Sequence, residues 1–93
     1  MSYITRDNNG HKYASTYVRI WDDNTVEMVS YTTTVIVISP EGWLRCNGLY
    51  SATTIKHIGW FMRELGLTYQ LAKQLYVNNK RFNIYTGEIE DRG

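Results

Sequence analysis

Two groups of residues in this chain have types and spacing that suit them to recognition chemistry. The first is a set of alternating positions: Tyr17, Arg19 and Trp21, then Glu27, Val29 and Tyr31, then Trp43 and Arg45. Alternate residues of a strand share one face, so these positions would bring four large aromatics and two arginines onto a single surface. Tyr17, Arg19, Trp21, Tyr31, Trp43 and Arg45 are therefore the candidate partner-binding residues. Aromatic and arginine enrichment marks protein interfaces and their energetic anchors, which fits contact with another protein or with a second copy of the chain. The same surface resembles the stacking platform of a single-stranded nucleic-acid binder, where each base stack is worth about 1 to 3 kcal/mol. A third reading is cross-strand aromatic pairing that only stabilises a small sheet.

The second group is Thr53, Thr54, Lys56 and His57, next to Ser51 at the expected start of a helix. Free backbone N–H groups and the helix dipole favour an anion there, and a nucleotide signal is one candidate ligand. Helix capping alone also accounts for the hydroxyls. Residues 51–82 contain Lys56, Arg63, Lys73, Lys80 and Arg81 against Glu64 alone, a basic helical stretch hidden within a net charge of +1. It suits either an anionic partner or an ordinary solvated helix face. Leu65–Leu75 has the flavour of the leading helix of a helix-turn-helix. Its spacing is one residue short, however, and Asn79–Tyr85, where the recognition helix would fall, alternates like a strand.

Catalysis finds little support. His11 and His57 are the two near-neutral bases, and His57 is expected on a helix surface. Cys46 falls on an inward strand position, and no G-x-S-x-G, phosphate-binding glycine loop or H-E-x-x-H helix occurs. Asp22 and Asp23 are neighbours in a turn and point apart, so a metal or paired-carboxylate role is not expected. The expectation is a non-enzymatic protein without a cofactor.

The elements that must position these residues can be read from periodicity. Residues 1–12 form a polar N-terminal arm, free to move, with a turn signal at Asp7-Asn8-Asn9-Gly10. Strands are expected at Thr16–Asp22 and Val26–Tyr31, joined at Asp23-Asn24. Thr33–Ile38 is apolar on consecutive positions, as in a central strand covered at least partly on both faces. Ser39-Pro40-Glu41-Gly42 turns the chain into a strand at Trp43–Asn47. Val18, Ile20, Val26, Met28, Leu44 and Cys46 then form the inward set. A helix follows, capped by Ser51, Thr53 or Thr54, with Ile55, Ile58, Phe61, Met62 and Leu65 facing the core and Gly66 at its end. Gly59 inside it suggests close approach to the sheet. Thr68 caps a second helix with Leu71, Ala72, Leu75 and Tyr76 inward, ending at Asn78-Asn79. Phe82, Ile84 and Ile89 around Thr86-Gly87 add a C-terminal strand before the acidic residues Glu88, Glu90 and Asp91. The fold class is α+β: an antiparallel sheet of four to five strands with two helices packed on one face, as one domain over residues 1–93.

Composition narrows the setting. Eight tyrosines and three tryptophans against two phenylalanines give most aromatic surface a polar handle, suited to half-wet faces. One cysteine permits no disulfide framework. The first seven residues lack the apolar run of a signal peptide, and no stretch nears the roughly 18 apolar residues of a membrane span. A cytoplasmic protein is expected. At this length only about 60 to 65% of the unfolded chain's surface is buried, which keeps self-association open.

Gly42–Ile58, with its Tyr50-Ser51-Ala52-Thr53-Thr54-x-x-His57-Ile58 stretch, and the closing Asn83-x-Tyr85-Thr86-Gly87-Glu88 resemble an uncharacterised family of small α+β proteins. That family is carried by phages and mobile elements of gut bacteria. The resemblance implies a compact accessory protein acting in the cytoplasm of a bacterial host, with no established activity to transfer. By analogy with anti-CRISPR proteins, it implies a host partner such as a defence nuclease, inhibited by protein contact.

Overall fold

Strand-forming alternation through the first half of the chain produces a simple meander. A computed structural model describes residues 3–6, as backbone, and residues 16–92. Among these described residues, seven strands lie in sequence order across one antiparallel sheet. They are β1 (Tyr3–Arg6), β2 (Thr16–Trp21), β3 (Val26–Ser30), β4 (Thr33–Ile38), β5 (Trp43–Cys46), β6 (Lys80–Asn83) and β7 (Ile89–Asp91). Two helices, α1 (Ala52–Glu64) and α2 (Tyr69–Val77), connect β5 to β6 and pack on one face. The fold is α+β as expected, but the sheet is wider than four to five strands. β1 forms within the anticipated N-terminal arm by pairing with the edge of β2, from Tyr3 opposite Trp21 to Arg6 opposite Val18. The Asp7–Gly10 turn signal lies outside the described residues. At the other end, the single expected C-terminal strand is a hairpin of two.

The β2–β3 and β4–β5 turns share one geometry. Asn24 N–H donates to Trp21 O and Trp21 N–H to Thr25 O; Gly42 N–H donates to Ser39 O and Ser39 N–H to Trp43 O, all at 2.9 Å. Each loop has three residues, and the third is left-handed, Asn24 at φ 75° and Gly42 at φ 95°. The β3–β4 turn instead places Tyr31 at φ 57°. A side chain there costs about 1 to 2 kcal/mol.

The consecutive apolar residues of β4 have a cause that periodicity did not show. Met28 pairs with Ile36 and Val29 with Thr34, so Val35 is an extra residue in the ladder. Such a bulge resets the alternation, and Val35 and Ile36 are both fully buried. β4 is the central strand. Its outward Val37 is half-buried.

Helix ends follow the sequence closely. Ser51 is the N-cap of α1, its Oγ accepting from Thr54 N–H at 3.2 Å. Leu67 N–H reaches Met62 O and Gly66 N–H reaches Arg63 O, a Schellman closure with Gly66 at φ 76°. Thr68 caps α2. The inward stripe of α1 is rotated from the expected one. Thr54, His57, Ile58, Phe61 and Met62 are buried, while Ile55 is only half-buried. His57 is therefore not a surface residue: its Nδ1 lies 2.7 Å from Ser30 Oγ, which also lies 3.1 Å from Thr54 Oγ1. Hydrogen bonding to the sheet lets two polar residues occupy core positions. Tyr76 on α2 faces outward rather than inward.

Gly59 is a further correction. A Cβ there would meet Arg63 Nη1 at 3.3 Å and Tyr69 Cβ at 4.0 Å, so the close approach is to the helical layer and not to the sheet. At Gly42 a Cβ would fall 2.5 Å from Tyr85 Cδ2. Gly42→Ala should cost about 1 to 2 kcal/mol through its left-handed backbone. Gly59→Ala should be neutral or stabilising by up to about 1 kcal/mol, because the flexible Arg63 end can shift. Urea denaturation of both variants checks this contrast.

Cys46 is buried in the core at the end of β5. Burial pushes its thiol pKa up, with smaller opposing effects from Gly48 and the Arg92 charge. A raised folded pKa means that its contribution to stability is present below the ordinary thiol range and is lost as pH rises through and above it. Native protein should accordingly resist thiol reagents until it unfolds, and denaturation midpoints should fall at alkaline pH more steeply than in Cys46→Ala. Labelling rates and urea titrations against pH measure both effects.

Candidate functional site

With both helices on one face, the opposite face of β2–β6 displays its outward side chains. It divides into two halves. In the first, Arg19 on β2 sits directly opposite Glu27 on β3. Arg19 Nε donates to Glu27 Oε1 at 2.8 Å, and Trp21 Nε1 donates to the same oxygen at 2.8 Å. The Arg19 guanidinium also stacks 5.2 Å from the Trp21 ring centroid and reaches Thr34 Oγ1 at 3.4 Å. Arg19, Trp21 and Glu27 thus form a closed cluster, whose polar atoms are largely spent within the sheet. Tyr17 lies beside it, paired with Val29, which is fully buried.

The second half is more open. Trp43 and Arg45 project from β5, and β6 docks beside them with Trp43 opposite Asn83. Arg81 then places its guanidinium 4.3 Å from the Trp43 ring centroid. Glu90 on β7, paired with Arg81 in the ladder, holds that side chain through an ion pair. Arg92 follows β7 and returns across the strand ends, donating from Nη1 to Cys46 O at 3.2 Å and from Nη2 to Asn47 Oδ1 at 3.4 Å. The Arg45 side chain is exposed and makes no hydrogen bond or ion pair among the described residues. Together Trp43, Arg45, Arg81 and Arg92, with Thr25, Val37 and Ser39, line a recess of about 170 Å³.

The expected partner-binding residues are therefore only partly brought together. Tyr17, Arg19, Trp21, Trp43 and Arg45 share the helix-free face. Tyr31 does not: its turn conformation places its ring 5.9 Å from that of His57, at the helix side. Arg81 and Arg92 belong to the site and were not anticipated there. Strand alternation at Lys80–Asn83, with Phe82 packed against the core, carried the signal for Arg81. Arg92 depended on β7 forming. The expected basic helical stretch shrinks accordingly, since Lys80 and Arg81 are strand residues paired with Asp91 and Glu90. At the start of α1, Thr54 and His57 turn inward to Ser30, while Thr53 and Lys56 are exposed. The four proposed anion-binding residues do not converge on one open point.

Asn83 holds this half of the face together. Its Oδ1 accepts from Tyr85 N–H at 2.9 Å and Thr86 N–H at 3.1 Å, forming the β6–β7 turn. Its Nδ2 donates to Glu41 O at 3.1 Å, tying that turn to the β4–β5 loop. Asn83→Ala should cost about 1 to 3 kcal/mol, because three part-buried hydrogen bonds of the Asn83 side chain are lost together. Asn83→Asp should cost less, keeping both acceptor bonds and losing the donor. Chemical denaturation of the two variants ranks them.

No helix among the described residues is long and apolar enough to cross a membrane. No curated protein and no solved structure matches the chain. A family model does match, over residues 2–79, covering the start of the chain through α2 and including Trp43 and Arg45 while stopping short of Arg81 and Arg92. The chain belongs to this protein family of unknown function, DUF8033.

Proposed function

We propose that the chain is a non-enzymatic binding protein that grips a protein partner through the helix-free face of its sheet. The observation that carries this reading is the convergence beside Trp43 of Arg45 from β5, Arg81 from β6 and Arg92 just after β7. Arg81 and Arg92 are already held by bonds within the fold and so lose little further freedom on binding, and tryptophan and arginine are the residue types that most often anchor protein interfaces. A non-catalytic role is supported by the state of the hydroxyl–imidazole pair. Ser30 and His57 are 2% and 1% exposed beneath α1, where a substrate does not reach the hydroxyl. The mobile-element resemblance makes a bacterial defence nuclease, inhibited in the host cytoplasm, the first partner to test.

Single-stranded nucleic acid fits this face less well. Trp21 and Trp43 each already carry an arginine at stacking distance, which takes up ring surface a base would need. Glu27 and Glu90 also interrupt any continuous basic track for a phosphate backbone.

The test uses a partner captured from bacterial lysate, with binding then measured for purified variants. Trp43→Ala and Arg45→Glu should each weaken it at least tenfold while circular dichroism stays native. Lys56→Glu and Lys73→Glu on the helical layer should leave it unchanged. Loss confined to the helix variants would overturn the reading. Sedimentation equilibrium identifies a second copy as the partner if a dimer forms and Arg45→Glu dissociates it.

A further inference from the structure

The recess itself carries information about what enters it. Its volume of about 170 Å³ is well below the roughly 300 to 1,000 Å³ of typical small-molecule sites. It is the size for one side chain rather than for a cofactor. Its lining is of two kinds: the indole of Trp43 and the aliphatic Val37 on one hand, and three guanidinium groups with the hydroxyl residues Thr25 and Ser39 on the other.

The three arginines play different parts. Arg81 is fixed by Glu90 and by the Trp43 ring, and Arg92 is fixed by Cys46 O and Asn47 Oδ1. Arg45 has no such bond among the described residues. The arrangement is two anchored cations and one unengaged guanidinium, while the flanking carboxylates are already paired, Glu90 with Arg81 and Glu27 with Arg19. A planar guanidinium fork matches a carboxylate in bidentate geometry, and partial burial strengthens such a pair over a fully exposed one.

Resting on the reading of this face as a protein-contact surface, we infer that the recess seats one carboxylate side chain of an acidic segment of the partner. Arg45 closes on that carboxylate, and an apolar neighbour of it lies on Trp43 and Val37. A single anion suits the charge distribution, because Glu27 and Glu90 flank the recess and would oppose a ligand charged at every unit along its length. A glutamate or aspartate next to an apolar residue is complementary to both parts of the lining.

The experiment is a fluorescence titration at low ionic strength in a Trp21→Phe/Trp60→Phe background, which leaves Trp43 as the reporter. The probes are a capped acidic peptide alternating glutamate with leucine, the same peptide with glutamine for glutamate, inorganic phosphate and oligothymidylate. The acidic peptide should produce a saturable change, weakened at least tenfold by 150 mM salt or by Arg45→Ala. The glutamine peptide should produce none, and Lys56→Ala should have no effect. Tighter binding of oligothymidylate or phosphate than of the acidic peptide, with the same Arg45 dependence, would overturn the carboxylate assignment in favour of a phosphate ligand. No response to the acidic peptide would overturn it as well. In either case the wider reading of the face is judged separately, by whether Trp43→Ala and Arg45→Glu abolish capture of the protein partner.

Discussion

The helix-free face depends on one docking event, the return of β6 against β5 after two helices have crossed the other side of the sheet. Before it, Trp43 and Arg45 stand on an edge strand. After it, Arg81 covers the Trp43 ring, Glu90 fixes Arg81 from the next strand, and Arg92 reaches back to the end of β5. Asn83 secures the return by binding three backbone groups in two different loops. The Asn83 side chain is itself buried, so these bonds also satisfy polar atoms that water does not reach. The candidate site is thus a consequence of strand order.

The helical face has a corresponding polar lock. Ser30, at the end of β3, meets both His57 and Thr54 of α1, and Ser51 caps the helix while lying within 3.2 Å of Thr54 Oγ1. Apolar packing sets how far a helix lies from a sheet but is tolerant of rotation about the helix axis. A hydrogen-bonded pair is directional, so it selects one rotation. This explains why α1 turns Thr54 and His57 inward and leaves Ile55 half-exposed. It also takes Thr54 and His57 out of the expected anion-binding group at the helix start, where Thr53 and Lys56 stay exposed.

Much of the fold was legible because local signals agreed. Caps at Ser51 and Thr68, Gly66 after α1, Gly42 in a turn and the inward set from Val18 to Cys46 all follow from short-range chemistry. Errors arose where a nonlocal partner decided the outcome. Val35 is an insertion in the ladder that only the pairing with β3 reveals. Gly59 faces the helical layer because α2 folds back alongside α1. Tyr31 leaves the expected face because the β3–β4 turn takes it into a left-handed conformation that its own residue type does not favour.

By itself, the sequence determined the α+β class, the alternation that places Trp43 and Arg45 opposite the helices, and the helix boundaries. These depend on residues a few positions apart, whose geometry is set by backbone sterics and periodicity. Only the tertiary structure decided that Arg19 and Trp21 are engaged by Glu27, that His57 is buried, and that Arg81 and Arg92 join Arg45 around a recess. Those facts depend on which strands become neighbours, and β5 and β6 are separated by two helices along the chain. An arginine on a strand has a side but no company until the sheet is assembled, and the chemistry of this face lies in the company.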